Sequence, residues 1–136
     1  MNNFMELQVG VKILLKNKEG KFLLLLRNPV KYPEVGKKWD IVGGRIDAGA
    51  SLMENLKREV LEETGLEVVG ETKLLLAQDI LKPDKHVVRL TYMGESKGEV
   101  RLSEEHSEYK WLTRDELTKL EPMDKYIKEV LDKNLI

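Results

Sequence analysis

Arg58, Glu59, Glu62 and Glu63 are the residues of this chain whose types and spacing best suit chemistry. They lie near the end of a stretch, Trp39 to Leu66, that also carries the glycine pair Gly43-Gly44. Carboxylates three and four residues apart on a helix repel by about a few tenths of a kcal/mol per pair. A cation among them removes that cost, and a divalent metal ion is the simplest candidate. A projection at about 100° per residue, with Glu59 at zero, puts Leu52, Glu63, Leu56, Val60 and Met53 between roughly 20° and 120° and Glu62 near -60°. Glu59 and Glu63 therefore lean on the edge of the apolar stripe, whereas a solvated acidic face should lie opposite the leucines. With no cysteine and only two histidines in the chain, oxygen donors of this kind suit a hard ion such as Mg2+ or Mn2+. Gly43 and Gly44 allow backbone to come close to a ligand without a Cβ in the way.

These residues must be positioned by the elements around them. Gln8 to Lys16 reads as a buried strand, Asn17 to Gly20 as a turn, and Lys21 to Arg27 as a second strand, so a hairpin is expected. Asn28 to Lys38, with two prolines, a glycine and three lysines, reads as a loop. Trp39 to Val42 is a short apolar run that ends in a glycine turn. Ser51 and Glu54 match a capping box that opens a helix, and Gly65 closes it. Two further strands, Glu67 to Ile80 and His86 to Gly94, flank a tip at Leu81 to Lys85. An acidic loop, Ser103 to Glu108, leads to a short strand with Trp111, then to a helix capped by Thr113 and a last amphipathic helix from about Pro122 to Leu131. One long helix between strands and two at the end predict an α/β/α sandwich with a mixed β-sheet between helices.

Composition limits the functions open to such a fold. The 136 residues fit one domain, and no internal repeat or linker divides them. With 23 basic against 24 acidic residues, non-specific attraction to nucleic acid or anionic membrane is not expected. A polyanionic ligand would have to be held locally. The absence of cysteine excludes disulfides and thiolate metal sites. The longest apolar run, Phe22 to Leu26, is too short to span a bilayer, and MNNFMELQVG lacks the features of a signal peptide, so a cytoplasmic protein is expected.

The run from Gly44 to Leu66 resembles the signature of the Nudix hydrolases: glycine, five residues, glutamate, seven residues, then Arg-Glu-apolar-x-Glu-Glu-x-Gly-apolar. Gly44 and Arg58-Glu59-Val60-Leu61-Glu62-Glu63-Thr64-Gly65-Leu66 are in register at every position but one. Where the family has its first glutamate this chain has Ala50, and where relatives often carry proline before the glycines it has Val42. In the family that glutamate braces the motif arginine, so Arg58 is expected to pair with Glu54 or Glu62 instead. The resemblance implies one Nudix domain over residues 1–136 that hydrolyses a diphosphate linkage in a nucleoside diphosphate joined to another group. It implies metal held by the Gly44 carbonyl, Glu59, Glu62 and Glu63, and a rate favoured by alkaline pH. It also implies a further acid beyond the box, as ligand or general base. Glu104, Glu105 and Glu108 are the candidates, and SEEHSEYKWL resembles the matching stretch of diadenosine polyphosphate hydrolases, which favours Glu105.

On the substrate side, Arg27, Lys37, Lys38 and Arg45 are the basic candidates, with Arg45 first. Tyr32 could stack on a base. Trp39 stays among the substrate-side candidates, although it and Trp111 suit core or sheet-edge positions better. His86 and His106 lack ligand-like spacing, and His106 is ranked as a surface residue. A small nucleotide is the expected partner, with no membrane and no nucleic acid beyond a nucleotide end, in a monomer or homodimer. The competing reading is a non-catalytic nucleotide-binding sensor, whose mark is a degenerate box; the intact acids argue against it. An isomerase of isopentenyl diphosphate is more distant, since its cysteine is missing.

Overall fold

The structure, a computed structural model, describes residues 4–33 and 38–136. Strand β1 (Glu6–Lys16) is its centre. One edge of β1 pairs in parallel with β6 (Lys85–Lys97) over the whole strand, from Glu6 opposite Lys85 to Lys16 opposite Glu95. The other edge is shared. β4 (Val42–Arg45) pairs antiparallel with Gly10 to Ile13, and β2 (Phe22–Arg27) joins at Lys16 opposite Phe22. The expected β1–β2 hairpin therefore forms at its turn, where the Asn17 side chain accepts from the Glu19 and Lys21 N–H groups, and then opens to admit β4. Beyond it β2 pairs with β3 (Trp39–Asp40) and β7 (His106–Leu112), and β5 (Glu67–Lys82) closes the other side against β6. The hairpin tip is tighter than expected, with Pro83 and Asp84 joining β5 to β6. One parallel pairing among antiparallel ones makes the sheet mixed.

Strand alternation sends side chains to two separate cores. Val11, Ile13 and Leu15 of β1 and Leu23 and Leu25 of β2 pack with Leu56, Val60 and Leu66 from the region of α1 (Leu52–Thr64). Leu14 of β1 and Phe22, Leu24 and Leu26 of β2 point the other way, onto Leu117 of α2 (Arg114–Lys119) and Ile127, Val130 and Leu131 of α3 (Lys125–Asp132). The β2 run FLLLLR is thus apolar on both faces because both are covered. This is the expected α/β/α sandwich. No helix of the described residues is long and apolar enough to cross a membrane.

The ends of α1 matter most for the site. Ser51 Oγ accepts from the Glu54 N–H at 3.1 Å, and Gly65 adopts the left-handed conformation (φ 72°) while its N–H donates to Leu61 O. The last-turn carbonyls of Glu63 and Thr64 accept from the Ser103 and Arg101 N–H groups at 3.2 and 2.7 Å. Those bonds fasten the segment before β7 to the end of α1.

Candidate active site

The glycines expected in a turn lie instead within strand β4, with Gly43 opposite Lys12 and Gly44 opposite Val11. Pairing to β1 holds this backbone against the end of α1. An added Cβ on Gly44 would stand 2.9 Å from Glu59 Oε2 and 3.0 Å from its Cδ, so the Glu59 carboxyl occupies the space a side chain would need. Gly43 donates its N–H to Glu63 Oε2 at 3.1 Å, and Glu63 is only 5% exposed. Glu59 is half-buried and Glu62 exposed, in the order the helical projection gives.

Burial pushes the Glu63 carboxyl up to about 7, assisted by Glu59 and Glu105, while the Lys12 cation and the Gly43 N–H pull the other way. Glu59 is raised as well, by burial first and then by Glu62 and Glu105, against the pull of Arg58. Two carboxylates held out of water beside bare backbone form a site that gains by taking up positive charge.

The segment fastened to α1 brings Glu105 and His106 to the same place. Glu63, Glu105 and His106 each offer a ligand atom within 4.8 Å of the others. Glu105 is half-buried and its backbone carbonyl accepts from the Asn28 N–H at 2.8 Å, whereas Glu104 and Glu108 are exposed. His106, expected on the surface, is 8% exposed, and its Nδ1 has no hydrogen-bond partner. Burial, with the Arg27 and Lys12 cations nearby, lowers its pKa to about 4 and leaves the ring neutral. A lone histidine carries no periodic signal in the sequence; it is the pairing of His106 with Arg27 across β7 and β2 that takes it inward.

A cleft of about 350 Å³ opens beside Gly43 and Gly44. Six of its lining side chains are cationic, namely Lys12, Arg27, Arg45, Lys82, Lys85 and Arg89, and none is acidic. Lys12 is anchored by Asp40 Oδ2 and Ile41 O, both at 3.2 Å, and Arg89 by Asp40 and Asp124 at 3.4 and 3.2 Å. Burial works against the Asp40 charge, but Lys12 and Arg89 outweigh it and hold the carboxyl below the usual range.

The chain matches the family described as NUDIX domain over residues 6–133. It belongs to the Nudix family. A MutT protein from Methanosarcina mazei Go1 superposes with a TM-score of 0.82 at 29% identity, covering 95% of this chain and 93% of that one. The bis(5'-nucleosyl)-tetraphosphatase [asymmetrical] of Rattus norvegicus is 32% identical over 91 residues, 60% of each protein. The NAD-capped RNA hydrolase NudC of Mannheimia succiniciproducens is 32% identical over 107 residues, which are 76% of this chain and 39% of that enzyme. The aligned parts thus span about 60% or less of these relatives' own length.

Within the Nudix box, the missing glutamate at Ala50 is compensated from an unexpected side. Arg58 donates to Asn55 Oδ1 at 2.9 Å and pairs with Asp47 at 3.3 Å, Glu59 at 3.3 Å and Glu62 at 3.5 Å. The Glu62 pairing was expected; Glu54 is not among these partners. Asn55 is fully buried, accepts from the Asp47 N–H, and donates to Ala50 O and Ser51 O. It ties the loop before the Nudix helix to the helix and to Arg58 together. In the sequence the one trace of this arrangement is an asparagine three residues before the motif arginine, within reach of it on a helix.

The substrate-side candidates separate. Arg27 and Arg45 line the cleft. Trp39 does not: it is 7% exposed, packs in the core of α2 and α3, and has Lys110 over its ring at 5.1 Å. Its amphipathic surface is used up by packing, which removes it as a base platform. Lys38 pairs with Asp124 at 3.7 Å, and Lys37 lies outside the described residues. Tyr32 carries the Arg27 guanidinium 4.7 Å above its ring.

Proposed function

We propose that this chain hydrolyses a diphosphate linkage in a nucleoside diphosphate joined to another group, with Mg2+ as cofactor and Mn2+ as a substitute. The observation that carries the reading is the placement of the half-buried Glu59 and buried Glu63 carboxylates against Gly43 and Gly44 at the mouth of a cationic cleft. The donors fit the ion: carboxylates of raised proton affinity are carboxylates short of positive charge, and hard oxygen donors match Mg2+. Gly44 O, Glu59, Glu62 and Glu63 would hold it. Bound metal supplies charge neutralisation at the diphosphate and a lowered pKa for the attacking water.

The chain's own residues do the rest. Glu105, half-buried and within reach of Glu63, accepts the proton released by the water. Arg27 and Arg45 hold phosphate oxygens in the cleft, and the cradle of Asn55 and Asp47 around Arg58 keeps Glu59 and Glu62 from turning away. Neutral His106, with a ring nitrogen within 4.8 Å of Glu63 and Glu105, adds no charge beside them.

The test is a Mg2+-dependent hydrolysis screen over a modified nucleoside triphosphate, a dinucleoside polyphosphate, ADP-ribose and capped RNA, with products identified. Similarity to a bis(5'-nucleosyl)-tetraphosphatase and an NAD-capped RNA hydrolase puts the second and fourth first in line. Cleavage at a diphosphate linkage, lost on removal of metal, is the expected result. Tight nucleotide binding with no turnover of any of the four would replace it by the sensor reading. Melting followed with and without Mg2+ adds a readout independent of turnover, since a ligand that binds only the folded state raises the melting temperature.

A further inference from the structure

The cleft beside Gly44 carries more positive charge than two phosphates need. Its floor follows from strand alternation. Gln8, Gly10 and Lys12 share a face of β1 with Leu14, but only Leu14 lies under α2 and α3, so the first half of that face is open. Gly10 adds no side chain, and Val87 and Ile80 complete the floor from β6 and β5. At one end stand Gly43, Gly44 and Arg45. At the other stand Lys82 and Lys85, paired across the Pro83-Asp84 tip. Lys85 lies opposite Glu6, six residues along β1 from Lys12, which is roughly 20 Å of strand before the reach of the lysine side chains is subtracted.

Lys12 and Arg89 are anchored by Asp40, and Arg89 also by Asp124. Among the described residues Arg45, Lys82 and Lys85 take part in no ion pair, although they share one cleft. Glu6 lies opposite Lys85 and Asp84 sits in the tip, but neither makes an ion pair with the two lysines among the described residues. Like charges gathered with little counter-charge cost the folded state energy and raise the local concentration of anions. A diphosphate bound at Gly44 would leave Lys82 and Lys85 unsatisfied; a longer phosphate chain would not.

We propose that Lys82 and Lys85 extend the phosphate site along β1, so that the cleft takes a continuous chain of three or more phosphates. This rests on the reading of Gly44, Glu59 and Glu63 as the end where cleavage occurs. It makes the two lysines specificity-determining residues that favour polyphosphate substrates over nucleoside diphosphate sugars.

The experiment is calorimetric titration of the metal-free protein with inorganic tripolyphosphate and with pyrophosphate, which needs no turnover. The wild type should bind tripolyphosphate at least about tenfold more tightly than pyrophosphate, and K82A/K85A should bring the ratio to within about threefold. K18A/K57A, which removes two exposed lysines elsewhere, should leave the ratio as in the wild type. K82Q/K85Q replaces K82A/K85A if the latter melts early. A wild-type ratio near one, a ratio that survives removal of Lys82 and Lys85, or an equal loss in K18A/K57A would each overturn the proposal. Hydrolysis of diphosphate-linked substrates alongside a ratio near one would sink this proposal alone. A high ratio alongside no hydrolysis would sink only the enzymatic reading.

Discussion

Glu63 Oε2 accepts the Gly43 N–H at 3.1 Å, so the most buried acid of the site is tied directly to the strand that carries its glycines. That hydrogen bond ties the last turns of α1 to β4, which is itself held by its pairing with β1. The Lys12 side chain helps from the next strand, with its ammonium shared between Asp40 and Ile41 O.

Glu63 should make the metal-free protein less stable as pH rises. Its pKa is about 7 folded against 4.5 as the ordinary value, so between these values the folded state binds more protons than the unfolded one. Stability from this group is fully present below about 4.5, falls through the interval and levels off above about 7, by an amount on the order of 3 kcal/mol. Urea unfolding without metal at several pH values should show this slope in the wild type and its reduction in Glu63→Gln. That variant should lose hydrolysis altogether. Wild-type turnover in it would remove Glu63 from the catalytic set.

The two glycines should respond differently to one methyl group. In Gly44→Ala the three atoms nearest the added Cβ all belong to the movable Glu59 carboxyl, so the fold should stay within about 1 kcal/mol of the wild type while turnover falls at least tenfold. In Gly43→Ala the Cβ would come within 2.0 Å of Val11 O, at φ 145°, with Lys12 Cα 2.7 Å away. There the β1–β4 pairing itself should fail, at a cost above about 3 kcal/mol. Circular dichroism melts of the two variants compare the outcomes. Equal losses of stability would contradict the packing described.

Asn55→Ala should be among the most damaging polar substitutions in the chain. It leaves the Asp47 N–H without its acceptor, removes two donations to backbone carbonyls and strips Arg58 of its 2.9 Å contact. A cost of about 2–4 kcal/mol in denaturant unfolding is expected, with lower activity at saturating metal. Ala50→Glu in that background should restore part of the activity if bracing of Arg58 is what was lost.

Among the three acids after the box, Glu105→Gln should lower kcat by about 10²-fold or more and steepen the dependence on alkaline pH. Glu104→Gln and Glu108→Gln, both exposed, should stay close to wild type. A large loss in either of them, with Glu105→Gln unaffected, would move the general base.

Much of the site was legible in the residues because its chemistry is local. Glu59, Glu62 and Glu63 share one helix, and the helical repeat alone set which of them lean on the core and which stay in water. Strands β1, β2, β5 and β6, the N-caps Ser51 and Thr113 and the sandwich followed from apolar periodicity and turn residues in the same way, whereas β7 begins at His106, inside the segment expected as a loop. What depended on tertiary structure was whatever is brought together from distant segments. Sequence offered no sign that β4 would enter beside β1 and draw Gly43 and Gly44 out of a turn into a strand, since strand pairing over some 30 residues leaves no periodic trace. The same holds for His106 turned inward opposite Arg27, for Asn55 standing in for an acid at Ala50, and for Trp39 spent on the core. The box by itself set three acids on one helix beside two glycines; the fold decided which cations gather in the cleft next to them, because burial and register are properties of the folded chain and not of any one segment of it.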